Sequence, residues 1–234
     1  MARTGWGWLA GAALLLAGCN IHMQAGPDLT ENRTVELAGA RSARVQIELG
    51  AGELRLEGGT EKLLDADFRY QAPDEKPAVK YDVTGARGYL TLRQPPFGSI
   101  GPKAGQNSWD LRLNDRVPLD LRVHLGAGDG TLKLGGTAVR VLEIEMGVGE
   151  LKVDLSGAWD QNLEAHIRGG VGQATVRLPR EVGVRVKASG GIGGINVQGL
   201  REREGFYVND AYDKPGVRLR IDISGGVGQI NLIG

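Results

Sequence analysis

Residues 121–153 read LRVHLGAGDGTLKLGGTAVRVLEIEMGVGELKV and state one pattern twice. Leu121, Val123 and Leu125 alternate with polar residues, Gly126-Ala127-Gly128 interrupts them, and Leu132 and Leu134 resume the alternation. Leu142, Ile144 and Met146, then Gly147-Val148-Gly149, then Leu151 and Val153 repeat the order. Apolar residues at every second position mark a strand with one buried face. The pattern recurs at 45–56, 163–176, 184–197 and 219–232, with glycine corners at 50–52, 169–172, 190–193 and 225–228. Leu121, Leu142, Leu163 and Val184 are 21 residues apart, and Leu219 follows after 35, so 14 extra residues precede the last copy.

A fixed period stacks equivalent side chains. The chain is therefore expected to be all-β, a single-stranded β-solenoid (β-helix) of about 21-residue coils. One coil cannot bury its own apolar side, so neighbours must close its faces and complete its hydrogen-bond ladders. Glycine serves the corners, where a Cβ-free or left-handed residue turns the chain. The rival architecture, a sandwich of antiparallel hairpins, favours Asn-Gly or Asp-Gly turns and needs no fixed recurrence.

Outside the repeats, residues 60–118 carry four expected strands, at 65–70, 79–83, 90–93 and 109–113, with a proline-rich loop at 95–102. This β-meander is expected as a side element, packed beside or over one end of the solenoid. The domain is expected to span 33–234, with its first coil at 45–58 and repeat coils over 121–234. Residues 19–32 lack periodicity and read as a tether.

The first 18 residues form a secretory leader: Arg3, then an uncharged stretch Gly5 to Gly18 centred on Leu9-Ala10-Gly11-Ala12-Ala13-Leu14-Leu15-Leu16. Fourteen residues are too few for a membrane-spanning helix, which takes about 20. Leu16-Ala17-Gly18-Cys19 resembles the lipobox of bacterial lipoproteins, which implies lipidation of Cys19 and a membrane-anchored lipoprotein of the cell envelope. Asn20 after the cysteine favours the outer membrane, or its periplasmic face, where two membranes exist. A lone cysteine allows no intrachain disulfide, so packing supplies the stability.

Composition excludes several classes. With 28 basic and 28 acidic residues the net charge is zero, there is no basic stripe, and nucleic acid is not an expected partner. The 38 glycines follow no collagen period. A dinucleotide fingerprint would need a third glycine where Thr131 and Lys152 stand. Calcium-binding nonapeptides would need an aspartate where Ala174, Ile195 and Ile230 stand. No nucleophile elbow or histidine pair for a metal is present, so neither enzyme activity nor a cofactor or metal is expected.

Two candidate surfaces remain. In a 21-residue stack, one outward row reads His124, Glu145, His166, Lys187, Asp222 and the next Arg122, Glu143, Glu164, Arg185, Arg220, with about 4.8 Å between neighbours. His124, Glu145 and His166 would then form a pH-responsive or partner-binding face, against the plainer reading of a solvated mixed-charge face. The insertion carries Phe206, Tyr207, Asp210, Tyr212 and Asp213, side chains suited to a sugar or a cation, against the plainer reading of a strand extension with a turn. The chain stops inside its last repeat, so that C-terminal edge is expected either to be covered or to mediate self-association.

Asn107-Ser108-Trp109-Asp110-Leu111-Arg112-Leu113-Asn114, followed by Val117-Pro118-Leu119-Asp120-Leu121 and Leu125-Gly126-Ala127-Gly128, resembles the toast-rack family of bacterial envelope proteins, similar to LiaF-type and adhesin-like solenoids. The resemblance implies a right-handed β-solenoid, an envelope setting and a link to envelope stress. It brings no catalytic residues. The expected function is a lipid-anchored, non-catalytic scaffold or interaction surface, the alternative a surface adhesin or glycan-binding module, with a protein or glycan partner in either case.

Overall fold

The computed structural model describes residues 28–96 and 107–234. The leader, Cys19, His22 and most of the proline-rich loop lie outside the described residues. In chain order the strands are β1 (Leu29–Val35), β2 (Ser42–Thr60), β3 (Leu64–Tyr70), β4 (Ala78–Thr84), β5 (Arg87–Arg93), β6 (Ser108–Asn114), β7 (Leu119–Lys133), β8 (Val139–Asp154), β9 (Leu163–Arg177), β10 (Gly183–Gln198), β11 (Arg201–Arg203), β12 (Phe206–Val208) and β13 (Arg218–Ile233). All belong to one sheet. β1 starts inside the segment expected as tether, and the four strands expected in the side element are β3 to β6.

The six copies of the repeat are β2, β7, β8, β9, β10 and β13, and each bends at its glycine corner. Alternation alone would put one arm of a bent strand face-in and the other face-out. The corner prevents this by shifting the parity: Leu121, Val123 and Leu125 are buried before it in β7, and Leu132 after it. Gly52, Gly128, Gly149, Gly172, Gly193 and Gly228 make the shift, each with φ between +126° and +143°, a region closed to most side chains. Both arms thus face one core of leucine, isoleucine and valine.

The repeats lie parallel, which removes the hairpin alternative. Their order across the sheet is β2-β7-β8-β9-β13-β10. This corrects the sequential stacking read from the period, because the last copy sits inside the stack, between β9 and β10. Its apolar set is the stronger one: Ile221, Ile223, Ile230 and Leu232 are buried in β13, while Ala188, Ile195 and Val197 of β10 are only partly so. The richer strand takes the slot with two neighbours and the poorer one the edge.

The register also departs from 21. Gly128 pairs with Gly149, but Gly149 pairs with Gly172, 23 residues on, and Leu142 lies beside Ala165 rather than Leu163. A two-residue offset keeps every side chain on its face, so the core prediction survives while the outward rows change.

At the other end of the stack, β5 and β6 lie in series along β2, β5 against Ser42–Glu48 and β6 against Glu53–Thr60, both parallel. Together they form a split coil, its two strands separated in sequence by residues 94–107. The ends of that segment still serve the glycine corner of β2. Gln94 Oε1 accepts from the Gly50 and Ala51 N–H groups at 2.8 and 3.0 Å, and the Asn107 carbonyl accepts from Glu53 N at 2.7 Å. β4 then pairs antiparallel with β5, and β3 and β1 extend outward from β6. Phe68 and Trp109 meet edge to face beneath this cap, ring centroids 5.2 Å apart.

Candidate functional site

The outward charges of the first arms form rows, but with different members from those expected. One row is Arg93, Glu48, His124, Glu145, Arg168, contributed by β5, β2, β7, β8 and β9. The next is Arg122, Glu143, His166, Asp222, Lys187, from β7, β8, β9, β13 and β10. His124 and Glu145 are neighbours as expected, with Nδ1 3.7 Å from Oε2, but His166 is not in their row. The two-residue offset carries His166 beside Glu143, and it approaches Asp222 and Glu164 at 3.7 Å. The same offset disperses the second expected row: Glu164 and Arg220 pair one step further along the strands, with Arg185 next to Arg220.

Both observed rows repeat one arrangement: base, acid, histidine, acid, base. Arg122 Nε lies 3.0 Å from Glu143, and Arg168 Nη1 lies 3.2 Å from Glu145. Arg93 grips Glu48 at 2.6 and 2.9 Å, and this hydrogen-bonded pairing holds the Glu48 carboxyl below the usual glutamate range, although its partial burial works against the shift. Glu48, Glu143 and Glu145 are each paired with an arginine of their own row, and Asp222 stands between His166 and Lys187. Among the described residues, no group of three or more histidine, cysteine, aspartate or glutamate side chains is placed to hold a metal ion.

The insertion forms a hairpin, β11 with β12, and its ligand-like side chains are engaged by arginines. Arg185 lies 4.3 Å over the Phe206 ring and Arg218 5.3 Å over Tyr212. Arg218 also donates to the Tyr212 carbonyl. Asp210 pairs with Arg201 at 3.2 Å and Asp213 with Arg203 at 2.8 Å. Tyr207 lies opposite Val186, where β12 pairs with β10. The hairpin is fastened by buried Asn209, which accepts from Val184 N at 3.0 Å and donates to the Pro179 and Val182 carbonyls at 3.0 and 2.8 Å. The arrangement is a clasp on the first arm of β10 and does not gather Phe206, Tyr207, Asp210, Tyr212 and Asp213 around an open site.

A third surface escaped the sequence reading. The middle residue of each corner points outward, and across the stack these are Ala51, Ala127, Val148, Val171, Val227 and Ile192. The last four are 53, 50, 45 and 75% exposed and make a continuous aliphatic ridge flanked on both sides by glycine. The glycines that flank them explain the ridge: an added Cβ at Gly147 or Gly170 would strike the carbonyl oxygen of the neighbouring corner, so only the middle residue carries a side chain. The signal was present in the corner triplets, whose middle residue is apolar in all six copies.

Residues 24–177 match the family model described as the N-terminal domain of toast_rack, DUF2154. The chain belongs to the toast-rack family. The toast-rack match runs from before β1 to the end of β9, so β10 to β13 lie beyond it. Among solved structures, this toast-rack chain is similar to a "putative cell adhesion protein" from Clostridium sporogenes, with 33% identity and a TM-score of 0.84 over 88% of this chain and 99% of that one. A "putative adhesin" from Bacteroides fragilis aligns over 88% of this chain and 97% of its own, at 10% identity and a TM-score of 0.32. None of the curated proteins compared with the chain matches it.

Proposed function

We propose that this toast-rack protein is a non-catalytic interaction module of the bacterial envelope, held to the membrane by lipid on Cys19, and that it contacts a protein partner through the ridge Val148, Val171, Val227 and Ile192. The ridge carries the proposal. Branched aliphatic side chains held in a row outside the core cost solubility, and rigid exposed apolar patches are characteristic of contact sites. The name of the Clostridium relative supports an adhesive role. The right hand of the winding belongs to the same reading, since parallel neighbours joined by short crossovers turn that way. So does the link to envelope stress, which rests on the family resemblance.

The test replaces Val171, Val227 and Ile192 together by threonine, which keeps strand propensity and removes the apolar surface. Crosslinking on intact envelopes is expected to lose its captured partner by roughly tenfold, a change of about 1.4 kcal/mol, with the unfolding midpoint unchanged. Capture that persists undiminished rejects the ridge, and retention by a glycan array in its place supports the glycan alternative. Cys19→Ala is expected to abolish palmitate incorporation and release the chain from the membrane fraction; a chain that stays membrane-bound and labelled rejects the anchor.

A further inference from the structure

The two ends of the stack are finished differently. β2 is covered over both arms by β5 and β6. β10 is covered by β12 at Arg185 and Val186 alone, and among the described residues its second arm, Gly194–Gln198, has β13 on one side and no strand on the other. Three other strands also end the sheet, but β1, β4 and β11 carry charges, Glu31 and Arg33, Lys80 and Asp82, and Arg201, Glu202 and Arg203. Charge is a common guard against edge pairing. From Ala188 to Gln198 there are eleven residues, none charged and none proline.

We infer that the second arm of β10 pairs antiparallel with the same arm of a second copy, about a two-fold axis at Asn196. The occupant follows from the closure of the other end. A head-to-tail stack would need a free edge on β2, which the split coil has filled, so the open arm meets its like and assembly stops at two. The sequence is self-complementary about that axis. Asn196 faces Asn196, Ile195 faces Val197 of the partner subunit, and Gly194 faces Gln198 of the partner subunit, so the half-buried apolar pair falls on the inner face and the amides on the outer. A like charge near the axis would oppose itself, and none is present. A side-chain ladder already runs toward this edge: Asn231 Nδ2 donates to Thr175 Oγ1 at 3.4 Å, and Asn196 Nδ2 donates to Asn231 Oδ1 at 3.1 Å. The second copy's Asn196 continues it by one amide.

The test measures the mass of the full chain in mild detergent by light scattering, with the detergent contribution subtracted. The native chain is expected to be a dimer. Asn196→Asp and Asn196→Lys each set a charge against its own copy across the axis, and each is expected to weaken dimerisation by at least about tenfold, roughly 1.4 kcal/mol. Circular dichroism is expected to stay unchanged, because Asn196 is exposed. An equimolar mixture of the two variants is expected to recover a dimer containing one of each, because opposite charges then meet. A native chain that stays monomeric at every concentration, a dimer that persists in either single variant, or a mixture that fails to recover overturns the inference. Loss of ridge-dependent capture leaves this result untouched, since the threonine variants do not alter Asn196.

Discussion

Two adjacent glycines divide the roles that the corners combine. Gly170 belongs to the row packed against the next corner, and an added Cβ there would overlap the Gly147 carbonyl oxygen. Gly169 points inward, in the row Leu49, Leu125, Met146, Gly169, Gly225, Gly190, where side chains give way to bare backbone and leave a small cavity of about 30 Å³. A Cβ at Gly169 meets nothing nearer than the Ser224 carbonyl oxygen at 3.9 Å. Gly170→Ala is therefore expected to destabilise the chain by about 2–4 kcal/mol, because rigid backbone must move. Gly169→Ala is expected to stabilise it by about 0.5–1 kcal/mol, by restricting the unfolded chain and part-filling the void. Urea midpoints of the two variants check the contrast; equal losses would show that the neighbouring carbonyl is not what excludes a side chain at Gly170. The glycine content announced the corners, but not which glycine faces backbone and which faces space. That distinction depends on the neighbouring strand.

At the scale of the element, the insertion shows what an edge strand needs. β10 has a weak apolar set, and its first arm is held by the hairpin that follows it. Asn209 is the fastening, because its amide satisfies three backbone groups that have no other role in the ladder. Asn209→Ala leaves those groups buried and unpaired, a loss of about 2–3 kcal/mol. The loss is expected to be local: hydrogen exchange should quicken in β11, β12 and the first arm of β10 before it quickens in β7 or β8. Uniform quickening across the sheet would show that the clasp is part of the global fold. Strand identity was legible here, since alternation marks β10 and β13 alike. Their order was not, because two strands with the same pattern are interchangeable until one asks which has the larger buried set. The outward rows failed for a related reason: a two-residue offset preserves the in-out alternation on which the reading depended, so the sequence offers no penalty for choosing Leu163 over Ala165 as the partner of Leu142. The ridge was legible, in the apolar residue enclosed by each pair of corner glycines, but was absorbed into the turn.

For the whole molecule, the interior place of β13 governs how the stack comes apart. In a stack built in chain order the last coil touches one neighbour, and its removal costs one interface while the rest stands. Here the last strand touches two, and β9 and β10 share no direct pairing without it. β10 is also made before the strand that separates it from β9, so the quarter of the chain after β9 cannot close onto the stack until residues 218–233 are present. Removing Arg218 to Gly234 is accordingly expected to release β10 and the β11–β12 hairpin together and to bare the far edge of β9. β2, β7 and β8, with the split coil that seals them, keep their pairings. Pulse-labelled hydrogen exchange during refolding of the full chain is expected to protect β7, β8 and β9 first, with β13 and β10 gaining protection in one later phase. Protection of β10 ahead of β13 would contradict this order, because β10 would then be held by something other than the strand at its side.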